Sequence, residues 1–179
     1  MNSTEIIEAL RQKLSVPSGR HLYGVLGSYA QLDVFAEKLG QAKTLDNVTF
    51  PKALNVNCGI LEAIPDDDFK RLAENEAKHP EPTAAHVGRA FERFLRESLG
   101  GGKFLILANL EMLFAYNIEL NLLRTMAADE SKILLLLPGK RTSGRIVMFH
   151  ESGESNYTLP TNLIADNHLW EIKTAGFMK

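Results

Sequence analysis

Apolar residues along this chain recur at two different spacings, and the alternation between them outlines the fold. Ile6, Ile7, Leu10 and Leu14 lie at helical intervals behind Ser3, with Glu5 and Glu8 in the first turns. This predicts a helix capped at Ser3 and ended by the Pro17-Ser-Gly19 segment. The apolar run over residues 22–26 predicts a strand from residue 20 to 24 and a glycine turn at 24–28. A helix over 30–39 follows, burying Leu32, Phe35, Ala36 and Leu39, with Gly40 as its stop. Residues 53–57 read as a short second strand, followed by an apolar turn at 60–64. Pro65 and Asp66, Asp67 and Asp68 open a helix over 69–77, because carboxylates meet the positive end of the helix dipole. Adjacent aspartates cannot all face one ion, so this cluster is a helix start rather than a metal site.

The His79-Pro-Glu-Pro82 stretch reads as a rigid break, after which Thr83 caps a helix carrying Val87, Ala90, Phe91, Phe94, Leu95 and Leu99. Its opposite side mixes Arg89, Arg93 and Arg96 with Glu92 and Glu97, a self-paired solvated face. After Gly100, Gly101 and Gly102, the runs at 104–107 and 133–137 are apolar throughout, as expected of strands covered on both faces of a parallel sheet. A helix over 117–128 joins them, and Pro138-Gly139 closes the second. Residues 144–149 and 168–172 read as later strands of an antiparallel edge extension. Strand and helix in alternation predict an α/β three-layer sandwich with a mostly parallel central sheet. The chain reads as one domain over 1–179, with an N-terminal helix at 1–15, a core at 20–139 and a C-terminal strand extension at 140–179.

Composition agrees with that picture. A chain of 179 residues with 45% hydrophobic content is long enough to bury about 70% of its unfolded surface without a staple. The single cysteine, Cys58, excludes an internal disulfide and is expected at the end of a buried strand. The amino terminus lacks a basic start followed by an apolar stretch, so the expected location is cytoplasmic. A net charge of −2 and a pI near 6.2 give no global attraction to nucleic acid or acidic membranes. Binding of that kind needs a local patch.

Strand, glycine turn and helix in that order form the layout of a phosphate-binding loop, Gly-x-x-x-x-Gly-Lys-Ser/Thr. There, backbone N–H groups cradle phosphates, the lysine meets the β/γ oxygens and the hydroxyl holds magnesium. Gly24 fits the first position, but Tyr29, Ala30 and Gln31 occupy the last three. In the apolar run at 103–114, Ala108 stands where a metal-associated aspartate is expected, and Glu111 is the nearest acid. Cation and metal ligand are both missing. The pattern is that of a P-loop NTPase-like fold with a silenced site, in which Tyr29 plugs the vacated pocket. Gly24, Gly27 and Ser28 remain as a vestigial phosphate loop, compatible with holding ATP without hydrolysis through the N–H groups of Gly27 and Ser28. No catalytic residue, cofactor or metal is expected. An active ATPase with an atypical site is the alternative, using Lys43, Lys103 or Lys140 with Glu111.

Lys140, Arg141 and Arg145, with Gly139 and Gly144 around them, form a basic cluster in a hairpin. They are the candidate contacts to a partner or to nucleic acid, which makes a DNA-binding accessory the second alternative. The histidines at 21, 79, 86, 150 and 168 show no metal-ligand spacing with Cys58, and no Gly-x-Ser-x-Gly elbow is present.

The order of these pieces resembles the small P-loop protein family BrxF of bacteriophage-exclusion (BREX) systems. The resemblance rests on Tyr23-Gly-Val-Leu-Gly-Ser28, Leu54-Asn-Val-Asn57, Leu105-Ile-Leu-Ala-Asn-Leu-Glu-Met-Leu-Phe114 and Ile133-Leu-Leu-Leu-Leu-Pro-Gly139, and it spans most of residues 20–172. The Asn-Leu-Glu-Met-Leu-Phe portion is the most specific, being similar to a family pattern Asp-Asn-Ile-Glu-hydrophobic-Leu-Phe. The resemblance implies an accessory or scaffold subunit of a bacterial anti-phage defence complex, acting through protein–protein binding. It implies as neighbours a large ATPase, a phosphatase-like PglZ protein and a DNA adenine methyltransferase. Ala30, Gln31 and Ala108 depart from what nucleotide hydrolysis requires, so the implied role here is non-catalytic.

Overall fold

The computed structural model describes residues 1–100, 104–152 and 157–173. Helix α1 (Ser3–Leu14) precedes strand β1 (Leu22–Gly27) and helix α2 (Tyr29–Gln41). Strand β2 (Ala53–Asn55) leads into α3 (Val56–Ala63), α4 (Asp66–Asn75) and α5 (Pro80–Leu99). Strand β3 (Phe104–Ala108) is followed by the short helices α6 (Glu111–Ala115) and α7 (Asn121–Met126). The chain then forms β4 (Lys132–Thr142), β5 (Arg145–Met148) and β6 (Leu169–Glu171).

The strands form one sheet in the order β2-β3-β4-β1-β6, with β5 attached to β4. β1 lies parallel to β4, from Leu22 opposite Ile133 to Gly27 opposite Pro138, and parallel to β6 on its other edge. β2, β3 and β4 are also mutually parallel, whereas β5 runs antiparallel to the outer part of β4. Of the two late strands expected as an antiparallel extension, β5 therefore fits and β6 does not. The segment after β5 returns to the starting end of the sheet before β6 begins, so β6 runs with β1.

Side chains alternate across the strands, and each face has its own core. Leu22, Leu26, Leu105, Leu107, Ile133, Leu135 and Leu137 pack with buried residues of α3 and α5, including Ile60, Phe91 and Leu95. Tyr23, Val25, Ile106, Leu134 and Leu136 pack on the opposite face with Ile6 and Leu10 of α1 and Leu32, Phe35 and Leu39 of α2. The apolar stripe of α1 thus docks on the chain's own sheet. The connection from β1 to β2 moves one way along the sheet and those through β3 to β4 move back. A constant right-handed crossover then sends their helices to opposite faces. The result is a mostly parallel central sheet with helices on both sides.

Several element boundaries differ from expectation for local reasons. The cap of α1 is Asn2 rather than Ser3: Asn2 Oδ1 accepts from Glu5 N and Glu5 Oε2 from Asn2 N, each at 2.9 Å. Residues 60–64 belong mostly to α3, whose start is capped by Asn55 Oδ1 accepting from Cys58 N at 3.0 Å. Cys58 is consequently exposed on a helix, not buried in a strand. Gly40 lies inside α2 rather than ending it. Pro80 and Pro82 form the first turn of α5 instead of a break, since N–H groups there have no helical acceptor. Thr83 therefore lies within the helix and is buried. The helix expected over 117–128 is shorter, covering only α7, and a separate short helix, α6, precedes it; Asn117 takes a left-handed φ of 53° between the two.

β4 also runs through Pro138 and Gly139 instead of stopping there, and Phe149 N donates to Pro138 O at 2.6 Å. A Cβ on Gly139 would lie 2.7 Å from Val147 O, a backbone atom of the paired strand. Gly139→Ala is accordingly expected to destabilise the fold by about 1–3 kcal/mol in urea denaturation. An unchanged midpoint would show that β5 is free to move.

His21 is 2% exposed and shares a 2.8 Å hydrogen bond between Nδ1 and Tyr23 Oη. Burial, and then the charges of Lys132 and His168, lower its pKa against an opposing pull from Asp129. The folded state holds the neutral ring while the unfolded chain takes up a proton near the ordinary value of about 6.5. Stability should therefore be full above that pH and decline below it. The thermal midpoint is expected to fall as pH drops from neutral to mildly acidic, and to fall less in His21→Gln; an equal fall in both proteins would rule out His21 as a source.

Candidate functional site

The carboxyl ends of β1, β3 and β4 and the start of α2 meet at one edge of the sheet, where the connections from β1 and β3 leave on opposite faces. Crevices of this kind are where open α/β sheets place ligands. The expected glycine turn at 24–28 is absent. Gly24 lies in the middle of β1, paired with Leu135 on one side and Leu169 on the other. A Cβ there would meet Leu169 Cδ1 at 2.7 Å and Ile164 Cδ1 at 2.8 Å, so its glycine serves core packing. Gly27 ends the strand, Ser28 alone links it to Tyr29, and no loop stands between strand and helix. Of the three vestigial-loop residues, Gly27 and Ser28 flank the helix start and Gly24 is remote from it.

The start of α2 is occupied by the chain's own acceptors. Ser28 Oγ accepts from Gln31 N at 3.2 Å, and Gln31 Oε1 accepts from Ser28 N at 2.8 Å, completing a capping box. Tyr29 N donates to Glu151 Oε2 at 3.2 Å. Glu151 belongs to a short 3-10 turn, His150–Ser152, and places a carboxylate at the positive end of the helix, where an anionic ligand would otherwise find its donor.

Beneath it lies a second carboxylate. Glu111 Oε1 accepts from the Tyr29 hydroxyl at 2.9 Å, and Glu111 Oε2 from Asn57 Nδ2 at 2.8 Å. Asn57 is itself fixed by Met112 N donating to its Oδ1 at 3.0 Å and by its own N–H donating to Asn109 O at 3.1 Å. Asn109 turns the chain out of β3 with a φ of 56°, which brings Glu111 over the ends of β2 and β3. Burial, and then the Glu111 carboxylate, raise the Tyr29 phenol to about 12, so it remains a hydrogen-bond donor at neutral pH. Tyr29 thus packs against the core beneath it, held by a specific hydrogen bond. Among the described residues, no lysine or arginine pairs with Glu111 or Glu151. A site with two carboxylates and no matched cation suits a donor-bearing protein group better than a triphosphate.

Of the lysines proposed for rescue, Lys43 is poorly placed for it. Lys43 follows the far end of α2, which at about 1.5 Å per residue is a helix of 13 residues away from Tyr29. Lys103 lies outside the described residues. Lys140, Arg141 and Arg145 sit on the two arms of the exposed β4–β5 hairpin, as the sequence predicts. Arg141 Nη1 is 3.6 Å from Asp166 Oδ1, and its N–H donates to Glu171 Oε1 at 3.3 Å. Among the described residues, no group of three or more His, Cys, Asp or Glu side chains is arranged to hold a metal ion. Nor is any described helix long and apolar enough to cross a membrane.

Glu151 was not foreseen as part of the site, since no local pattern links it to a helix start more than a hundred residues away. The Ser28–Gln31 spacing is the signal that could have revealed the capping box. Compared with known protein families, curated proteins and solved structures, the chain shows no match.

Glu111 accepts from two partly buried donors. Glu111→Ala is expected to lower stability by about 1–3 kcal/mol and Tyr29→Phe by about 1 kcal/mol. Chemical denaturation of both variants checks this; two unchanged midpoints would show that the network carries no weight.

Proposed function

We propose that this chain is a P-loop NTPase-like fold whose nucleotide site has been closed, and that it serves as a non-catalytic accessory or scaffold subunit of a bacterial anti-phage defence complex. One observation supports this above the rest: at the start of α2 the N–H groups of Ser28, Tyr29 and Gln31 are already engaged by Gln31, Glu151 and Ser28. An incoming triphosphate would have to displace one carboxylate and approach a second, with no lysine, magnesium-binding hydroxyl or aspartate in the usual places. Loss of a single preorganised donor commonly costs an enzyme about 10²- to 10³-fold in rate, so these losses together leave no productive hydrolysis. The motif order resembling BrxF supports the defence setting, with a large ATPase, a PglZ-like protein and a DNA methyltransferase as partners.

The purified chain given ATP and magnesium is expected to release no phosphate above the buffer rate, and Glu111→Gln should change nothing. Steady release that disappears in Glu111→Gln would instead establish an active, atypical ATPase. Co-expression with the ATPase and PglZ-like proteins of such a system is expected to yield a complex that survives gel filtration. Separate elution of every component would count against the scaffold role.

A further inference from the structure

Away from the start of α2, a cavity of about 800 Å³ opens between the β4–β5 hairpin and residues 158–169. Four arginines from distant parts of the sequence line it: Arg20 before β1, Arg124 on α7, and Arg141 and Arg145 on the two arms of the hairpin. Asp166 is the one carboxylate among the lining residues, and it stands 3.6 Å from Arg141 Nη1. Arg20, Arg124 and Arg145 have no carboxylate partner among the described residues. In a protein of net charge −2, surface arginines ordinarily find acidic neighbours. Three unpaired guanidinium groups around one concavity, beside the single carboxylate of Asp166, form a local positive field.

We propose that this cavity binds a small molecule carrying two or more phosphate groups. The planar guanidinium fork pairs with phosphate oxygens in a bidentate manner, and groups on opposite walls can hold phosphates that are linked to each other. The volume falls within the range of about 300–1,000 Å³ typical of small-ligand sites. A nucleic-acid strand is the less suited occupant, because no Phe, Tyr or Trp lines the cavity to stack on a base. The site is separate from the closed one at α2, so it stands whether or not that site takes a nucleotide. Only Arg141 and Arg145 were legible as a basic cluster; Arg20 and Arg124 join them through the fold, while Lys140, adjacent in sequence, does not line the cavity.

Calorimetric titration of the intact chain at low ionic strength with inorganic pyrophosphate, orthophosphate and a short single-stranded DNA provides the test. Pyrophosphate is expected to bind, more tightly than orthophosphate, and to weaken as salt is added. Arg145→Gln and Arg124→Gln should each reduce its affinity about tenfold, while Lys140→Gln, with the same loss of charge, leaves it unchanged. Absence of pyrophosphate binding to the unmodified chain would overturn the proposal without requiring any variant to fold. An equal loss in Lys140→Gln would overturn it in favour of diffuse surface charge. Binding of the oligonucleotide alone would overturn it in favour of a nucleic-acid surface.

Discussion

The first turn of α2 carries backbone N–H groups that the helix cannot satisfy internally, and the edge of the sheet is organised around supplying their acceptors. Ser28 and Gln31 supply them locally, and Glu151 supplies one from beyond β5. In a phosphate-binding protein the same groups are left for the ligand. Under the proposed reading, their internal engagement is what closes the helix start to a nucleotide. A carboxylate at a helix amino end contributes about 0.3–1 kcal/mol at an exposed position, so the closure is spread over several modest contacts.

That arrangement depends on β1. All six of its residues are buried, it pairs in parallel with β4 and β6, and it delivers the chain to α2 with Ser28 as the sole link. A strand that continues to Gly27 leaves no slack for a loop to wrap a phosphate. Tyr29 then lies where it reaches Glu111, and Asn57 binds the other oxygen of the same carboxylate from α3. Residues from the ends of three parallel strands thereby meet at one point.

The alternation of strand and helix and the two-sided burial of β3 and β4 were legible because continuous apolar runs and helical spacings are strong local signals. The apolar faces of α1, α2 and α5 were legible for the same reason. The fate of Gly24 was not: a glycine after a buried strand reads as a turn, whereas here the side chains of Leu169 and Ile164 require its small size in mid-strand. The direction of β6 was set by the path of the chain after β5, which no local pattern encodes. Cys58 is on a helix because Asn55 caps one where the sequence reads as a continuing strand. At the site, Tyr29 and Glu111 could be singled out as odd residues in a familiar layout, but their mutual hydrogen bond and the part played by Glu151 arise only from tertiary structure.

A crystal structure grown with magnesium and a non-hydrolysable ATP analogue would test the closed-site account most directly. The account predicts that Tyr29 N remains bonded to Glu151 and that the Tyr29–Glu111 hydrogen bond persists, with no triphosphate at the start of α2. A triphosphate lying against Ser28 and Ala30, with Glu151 displaced and Tyr29 swung away from Glu111, would contradict it.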